Sequence, residues 1–182
     1  MMDFDLQISQ YLFQLGRALP AIVVPFLAVA LIWLLFAFAL YRANQRPAPA
    51  DKILFLARVG VAAVLGFLFN GLLAYFYFRA RPFVDLGFTP LISEPMFLKS
   101  FPSDHAAVSW AVAAIIFFDN KTSGYWAGIA AGFICLGRVL SGVHYVGDVL
   151  FGAGLGIIIA GLVFKYLPSG NFYFRAGRPR GE

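Results

Sequence analysis

The chain has 182 residues, of which 61% are hydrophobic, 18% aromatic and only 13% charged, about half the ~25% charge of an ordinary soluble domain. A soluble globule and a disordered chain are both excluded by that balance, because apolar content this high offsets the entropy of ordering. Lys+Arg 14 against Asp+Glu 9 gives a formal net charge of +5, but the basic residues gather at the ends of apolar runs, where membrane orientation accounts for them without nucleic acid. Cys135 is the one cysteine, so no intrachain disulfide forms.

The first predicted element is an amphipathic helix over residues 1–19. Phe4, Ile8, Tyr11, Leu12, Leu15 and Leu19 recur at helical spacing, with Asp3, Gln7, Gln10, Gln14 and Arg17 on the other side, a pattern suited to the membrane interface. A membrane-spanning helix needs roughly 20 mostly apolar residues, and five segments are predicted: 21–41, with Pro20 and Pro25 near its start; 53–78, long enough to tilt; 103–118; 124–140; and 145–167. Between them lie a basic linker 42–52, a connection 79–102 and two tight turns, and a basic tail 168–182 follows. Ala37-Phe38-Ala39 resembles a signal-peptide cleavage site, but Asp3 and Asp5 precede the apolar run and that run is too long for a signal core. The expected architecture is a single all-α, polytopic membrane domain over residues 1–182, with about five transmembrane helices in the core 21–167.

Charge asymmetry sets the expected orientation. Arg42, Arg46, Lys52, Lys121, Lys165, Arg175, Arg178 and Arg180 fall on one side, with Arg58 snorkelling towards it; Arg17, Arg79, Arg81, Lys99 and Arg138 fall on the other. The first side is expected to be cytoplasmic, which places the C-terminal tail inside and the N-terminal helix outside.

Topology then brings the connection 79–102 and the turn between the last two segments to the outer face, and the unusual residues are there. The first region and the start of the next segment carry Arg79, Arg81, Lys99, Ser103, Asp104 and His105; the second carries Arg138, Ser141, His144 and Asp148. Ionisable side chains at membrane depth mark function by default. Guanidinium forks match phosphate oxygens, and the start of the 103–118 helix presents unpaired N–H groups to an anion. His144 and Asp148 are four residues apart, so the carboxylate can hold one imidazole nitrogen and leave the other free to attack, while His105 supplies a proton. Together these describe metal-free phosphoryl transfer through a phosphohistidine.

Arg81-Pro82, Pro102-Ser103-Asp104-His105, and Arg138 followed by His144 and Asp148 resemble the three signature motifs of the type 2 phosphatidic acid phosphatase superfamily, K-x6-R-P, P-S-G-H and S-R-x5-H-x3-D. The resemblance implies that His144 is the nucleophile, Asp148 its orienter and His105 the general acid, with Arg81, Arg138 and Ser103 on the phosphoryl group and no cofactor or metal. Three positions depart from it: Ala74 stands at the motif lysine, Asp104 at a glycine and Gly137 at a serine. Arg79 and Lys99 are the candidates to replace the lysine's charge, and Asp104 is expected to cap its helix or hold an arginine. The P-S-D-H form is similar to that of the bacitracin-resistance subgroup of undecaprenyl pyrophosphate phosphatases, which implies a lipid pyrophosphate substrate in a bacterial plasma membrane.

Plainer readings stand beside these. A metal-dependent hydrolase would use His105, His144, Asp104 and Asp148 as ligands, and a lipid transporter or anchor would need no chemistry. Asn70 is expected to make an interhelical hydrogen bond, and Phe76, Tyr77, Phe78 and Phe83 an interfacial belt. Gly124, Gly128 and Gly132 form one stripe of small residues, and Gly152, Gly156 and Ala160 another; if the two meet, they bring Arg138 and Asp148 together.

Overall fold

The structure, a computed structural model, describes residues 2–94 and 99–167. The basic tail with Arg175, Arg178 and Arg180 lies outside the described residues. Helices α1 (Met2–Ala18), α2 (Val23–Pro25), α3 (Leu31–Asn44), α4 (Pro49–Phe76), α5 (Pro82–Asp85), α6 (Asp104–Asp119), α7 (Lys121–Leu140) and α8 (Val146–Tyr166) follow in order, with a π turn, Phe26–Ala30, joining α2 to α3. Among the described residues there is no strand. Val23–Asn44, Pro49–Phe76, Lys121–Leu140 and Val146–Tyr166 are long and apolar enough to cross a membrane.

The remaining predicted segment, 103–118, is α6, only 16 residues long. It is the central helix, packed against α3, α4, α7 and α8, and Ala106, Ala107, Ser109 and the run from Ala111 to Ile116 are buried. It runs between the two ends of the bundle: Asp104 meets Asn70 near the end of α4, whereas Asp119 pairs with Arg46 at 2.5 Å and Arg42 at 4.0 Å, near the α3–α4 linker.

Local chemistry sets the helix ends. Pro49 occupies the first turn of α4, where a missing N–H costs nothing, so the helix begins inside what the sequence suggested was linker. Asn120 caps α7 by accepting from the Ser123 N–H at 2.9 Å, which extends that helix back to Lys121. Arg58 does more than snorkel: Nε and Nη2 donate to the Leu167 carbonyl just beyond the end of α8, at 3.1 and 2.7 Å, satisfying an orphan acceptor.

Three packing expectations need correction. The glycine stripes do not meet each other. That of α8 packs on α6, where a Cβ on Gly152 would lie 2.7 Å from the Ser103 carbonyl oxygen, while Gly128 and Gly132 of α7 line a groove of about 590 Å³ with Trp110, Phe117, Tyr125 and Ile157. Phe76, Tyr77 and Phe78 are exposed, but Phe83 is buried in a cluster with Ala28, Ile92 and Val143. Helix α1 keeps its apolar face of Phe4, Tyr11, Leu15 and Leu19 exposed, as an interfacial helix requires, but a third face carrying Ser9, Phe13 and Gly16 is buried. That face docks on α7 and α8, with Phe13 stacked on Phe88 at 4.1 Å.

Candidate active site

Helix α7 stops at Leu140 because Gly142 adopts φ +77°, a conformation only glycine takes without strain; a Cβ there would also press into Phe88 and Phe13. The turn that follows carries His144 and leads into α8. Asp148, at the third position of α8, accepts from the Tyr145 N–H at 2.9 Å, one half of a capping box. The connection 79–102 is tied to the same end: the Leu91 N–H donates to Ser141 O at 3.0 Å, the Ser100 N–H to Arg79 O at 2.8 Å, and the Ser103 N–H to Asp148 O at 3.2 Å.

His144 is almost wholly buried. Its Nδ1 lies 2.8 Å from the Ser100 carbonyl and 3.7 Å from Asp148 Oδ2. A carbonyl only accepts, so Nδ1 carries the proton and Nε2 keeps its lone pair. The expected direct hold by Asp148 is thus mainly a neighbouring charge, with the tautomer set by Ser100. That serine is doubly engaged, since its Oγ donates to Asp148 Oδ2 at 2.5 Å. Burial pushes the His144 ring down to about 4, against the opposing pull of Asp148, so the imidazole is neutral at pH 7.

Arg138 and Arg81 are both buried. Arg81 Nη1 donates to the Val143 carbonyl at 3.3 Å, while Arg138 Nη1 reaches the Ala28 carbonyl in the π turn at 3.5 Å. Both guanidinium groups meet the carboxylate of Glu94: Arg138 Nη2 hydrogen-bonds Oε1, and Arg81 Nη2 is 3.4 Å from Oε2. His105 is within electrostatic reach of Arg138, His144 and Glu94. Ser103 is the N-cap residue of α6, yet its side chain makes no cap bond; its Oγ, like Arg138 Nε, is buried without a hydrogen-bond partner.

The two candidates for the missing lysine's charge are placed elsewhere. Arg79 does not join Arg81 and Arg138 on Glu94. It donates to Asp148 Oδ1 and Asp5 Oδ2, each at 2.9 Å, with its guanidinium carbon 3.6 Å from the centre of the Tyr145 ring. Lys99 donates to the Pro102 carbonyl at 2.7 Å and to Asp104 Oδ1 at 3.0 Å. Asp104 neither caps α6 nor holds an arginine; its charge is matched by Lys99 and by Asn70, whose Nδ2 donates to it at 2.5 Å and to Pro102 O at 2.9 Å. Gly137 is explained by contact: a Cβ would lie 2.6 Å from the Ala28 nitrogen, so the motif serine does not fit beneath the π turn.

Sequence reasoning missed Asp5, Glu94 and Ser100. Asp5 belongs to the docking face of α1, where it also accepts from the Gly147 N–H at 2.9 Å. Glu94 shares its connection with Arg79, Arg81, Asp85 and Lys99, so nothing local singled it out. Among the described residues no group of three or more His, Cys, Asp or Glu side chains is arranged to hold a metal ion.

Residues 55–171 match the PAP2 superfamily, and the chain belongs to that family. It is a helical, multi-pass membrane protein. It is 33% identical over 112 residues to the bacitracin transport permease protein BcrC of Bacillus licheniformis, covering 62% of this chain and 53% of that protein. It is 34% identical over 107 residues to phosphatidylglycerophosphatase B of Bacillus subtilis (strain 168), covering 53% and 50%; both matches span about half the length of those relatives. The fold is similar to that of Aquifex aeolicus LpxE, with a TM-score of 0.66 and 22% identity, covering 86% of this chain and 94% of that one. It is also similar to a transmembrane PAP2-type phosphatidylglycerolphosphate phosphatase of Bacillus subtilis, with a TM-score of 0.57 and 24% identity, covering 98% and 89%.

Proposed function

We propose that the protein is a lipid phosphatase that hydrolyses undecaprenyl pyrophosphate to undecaprenyl phosphate and phosphate at the outer face of a bacterial plasma membrane, recycling the lipid carrier of cell-wall synthesis. The observation that carries the reading is the His144 ring, neutral and buried, with Nδ1 against the Ser100 carbonyl and Nε2 free beside two buried arginines. Nε2 attacks the terminal phosphorus, the bond to the bridging oxygen breaks, and His105 protonates that oxygen as undecaprenyl phosphate leaves. Water, deprotonated by His105, then attacks the phosphohistidine and releases phosphate. Arg81, Arg138 and Ser103 bind the phosphoryl oxygens and stabilise the charge that develops on them; no metal ion enters the sequence of steps. A lipid suits the architecture because its head reaches the polar site while its chain stays in the bilayer. A phosphatidylglycerol phosphate substrate is the second reading, favoured by the similarity to phosphatidylglycerophosphatase B.

Purified protein and His144→Ala are compared for phosphate release from undecaprenyl pyrophosphate, phosphatidylglycerol phosphate and phosphatidate. The expectation is the largest kcat/KM on the first, full activity in chelator, and a loss of about a thousandfold or more in the variant. An unchanged rate in His144→Ala refutes the nucleophile. Inhibition by chelator replaces the reading with metal-assisted hydrolysis at His105, His144, Asp104 and Asp148. A C-terminal reporter found outside the cell reverses the proposed orientation.

A further inference from the structure

Glu94 lies 44 residues before Arg138 in sequence, yet its carboxylate bridges the two buried guanidinium groups at the heart of the site. Burial pushes the pKa of this carboxyl up, but Arg138 and Arg81 more than reverse that effect and hold it below the usual value, so it is an anion. Without it, the two buried cations would lose the carboxylate that they share and that offsets their mutual repulsion. A carboxylate and a phosphoryl group present guanidinium forks with the same kind of acceptor, two oxygens side by side. The carboxylate therefore occupies the position where Arg81 and Arg138 would bind a phosphoryl group. It does not use every donor: Ser103 Oγ and Arg138 Nε are buried and unpartnered.

We propose that Glu94 is a specificity residue, an internal anion that keeps phosphodiesters out of the site and yields only to a terminal phosphate. The inference rests on the assignment of Arg81 and Arg138 as phosphoryl-binding residues. A phosphodiester headgroup offers one negative charge and two free oxygens, the same as the carboxylate, and gains nothing by replacing a group that is already tethered. A terminal phosphate carries a charge of about −1.5 to −2 near pH 7 and three acceptor oxygens, so it gains charge on both arginines and an oxygen for the remaining donors. In low-dielectric surroundings that difference is amplified. The discrimination matters because a site open to the bilayer is bathed in phosphodiester lipids at concentrations no soluble enzyme meets.

The full chain in detergent micelles is compared with Glu94→Gln, which keeps the shape and loses the charge, and with Glu94→Asp, which keeps the charge and draws it back from the arginines. Two readings are taken: competitive inhibition of phosphatidate hydrolysis by inorganic phosphate, and inhibition by rising mole fractions of phosphatidylglycerol. Removing a competing charge-assisted bond is expected to lower the inhibition constant for phosphate about tenfold in Glu94→Gln, with a smaller fall in Glu94→Asp. Phosphatidylglycerol is expected to leave the apparent KM of the unaltered protein unchanged and to raise that of Glu94→Gln severalfold. If phosphate inhibits both variants equally or more weakly than the unaltered protein, Glu94 is a brace for the arginines and the inference is wrong. Stabilisation against thermal unfolding by inorganic phosphate separates the two levels. If the unaltered protein shows neither that shift nor hydrolysis, the phosphatase reading itself falls and takes this one with it; if it shows both and the order of affinities is unchanged, only the role of Glu94 falls.

Discussion

Restoring the family's serine at position 137 is expected to harm the protein. A Cβ on Gly137 would sit 2.6 Å from the Ala28 nitrogen and 2.7 Å from the Leu27 carbonyl carbon. Both are backbone atoms of the π turn, so neither can swing aside. Overpacking typically costs ~1–3 kcal/mol, and obstruction by backbone puts this site at the upper end. The better helix propensity of serine over glycine returns only ~0.5 kcal/mol, leaving a net loss of about 2–3 kcal/mol, or ~5–10 °C in Tm for a chain of this size. Arg138 is the next residue and its Nη1 meets the Ala28 carbonyl, so displacement of the turn should also raise KM for a lipid phosphate. Gly132→Ala is the control on the same helix: nothing lies within 4 Å of its Cβ position, and up to ~1 kcal/mol of stability is expected from propensity alone. Thermal unfolding in detergent and initial-rate kinetics read both variants. If Gly137→Ser unfolds at or above the temperature of the unaltered protein with KM unchanged, the close approach of the π turn is not a constraint.

Arg79→Ala leaves the buried Asp148 carboxylate with Ser100, the Tyr145 N–H and the neighbouring His144 ring. Breaking a buried pair costs ~3–5 kcal/mol, and because the Arg79 side chain is 19% exposed the loss is discounted to about 2–3 kcal/mol, measured by denaturant or thermal unfolding. Its kinetic signature is a fall in kcat with KM nearly constant; a raised KM at unchanged kcat would instead return Arg79 to the phosphate cradle. The neutral imidazole of His144, at about 4 instead of the ordinary 6.5, sets the acid limb of kcat/KM. Activity should hold from pH 7 to about 5 and fall steeply only near 4, and an acid limb centred at 6.5 would show the ring to be solvated. Because the unfolded ring takes its proton near 6.5 and the folded one only near 4, this group's contribution to unfolding free energy also declines as pH falls through that window.

Periodicity and run length were enough to place α4, α6, α7 and α8 within a few residues, because helices that face lipid or the centre of a bundle must be apolar along their length. Motif spacing was enough to put His144 and Asp148 on one turn. Pairings between distant segments were not legible. Glu94 reaches Arg138 across 44 residues, and Asp5 reaches Arg79 across 74; neither acidic residue differs locally from an ordinary surface carboxylate. The glycine stripes show why: spacing fixes which residues share a face but not which neighbour that face meets, and the small residues of α6 took the place expected of α7. The departures at Asp104 and Gly137 looked like weakened motifs in sequence. In the fold each answers a local neighbour, Lys99 in one case and the π turn in the other.

The brevity of α6 bears on how deep the chemistry sits. Its 16 residues rise only about 24 Å, short of the ~30 Å hydrocarbon thickness, and the helix avoids that mismatch by being wrapped in longer neighbours. Were α6 centred on the hydrocarbon, its first residue would lie roughly 3 Å beneath the plane where hydrocarbon gives way to headgroups. Ser103 and His105 would then lie at about that depth, at the end of a helix packed between α4 and α8. A phosphate bound there, as proposed, would sink slightly from its resting level in the leaflet, and the lipid would not have to be lifted out of the bilayer to react.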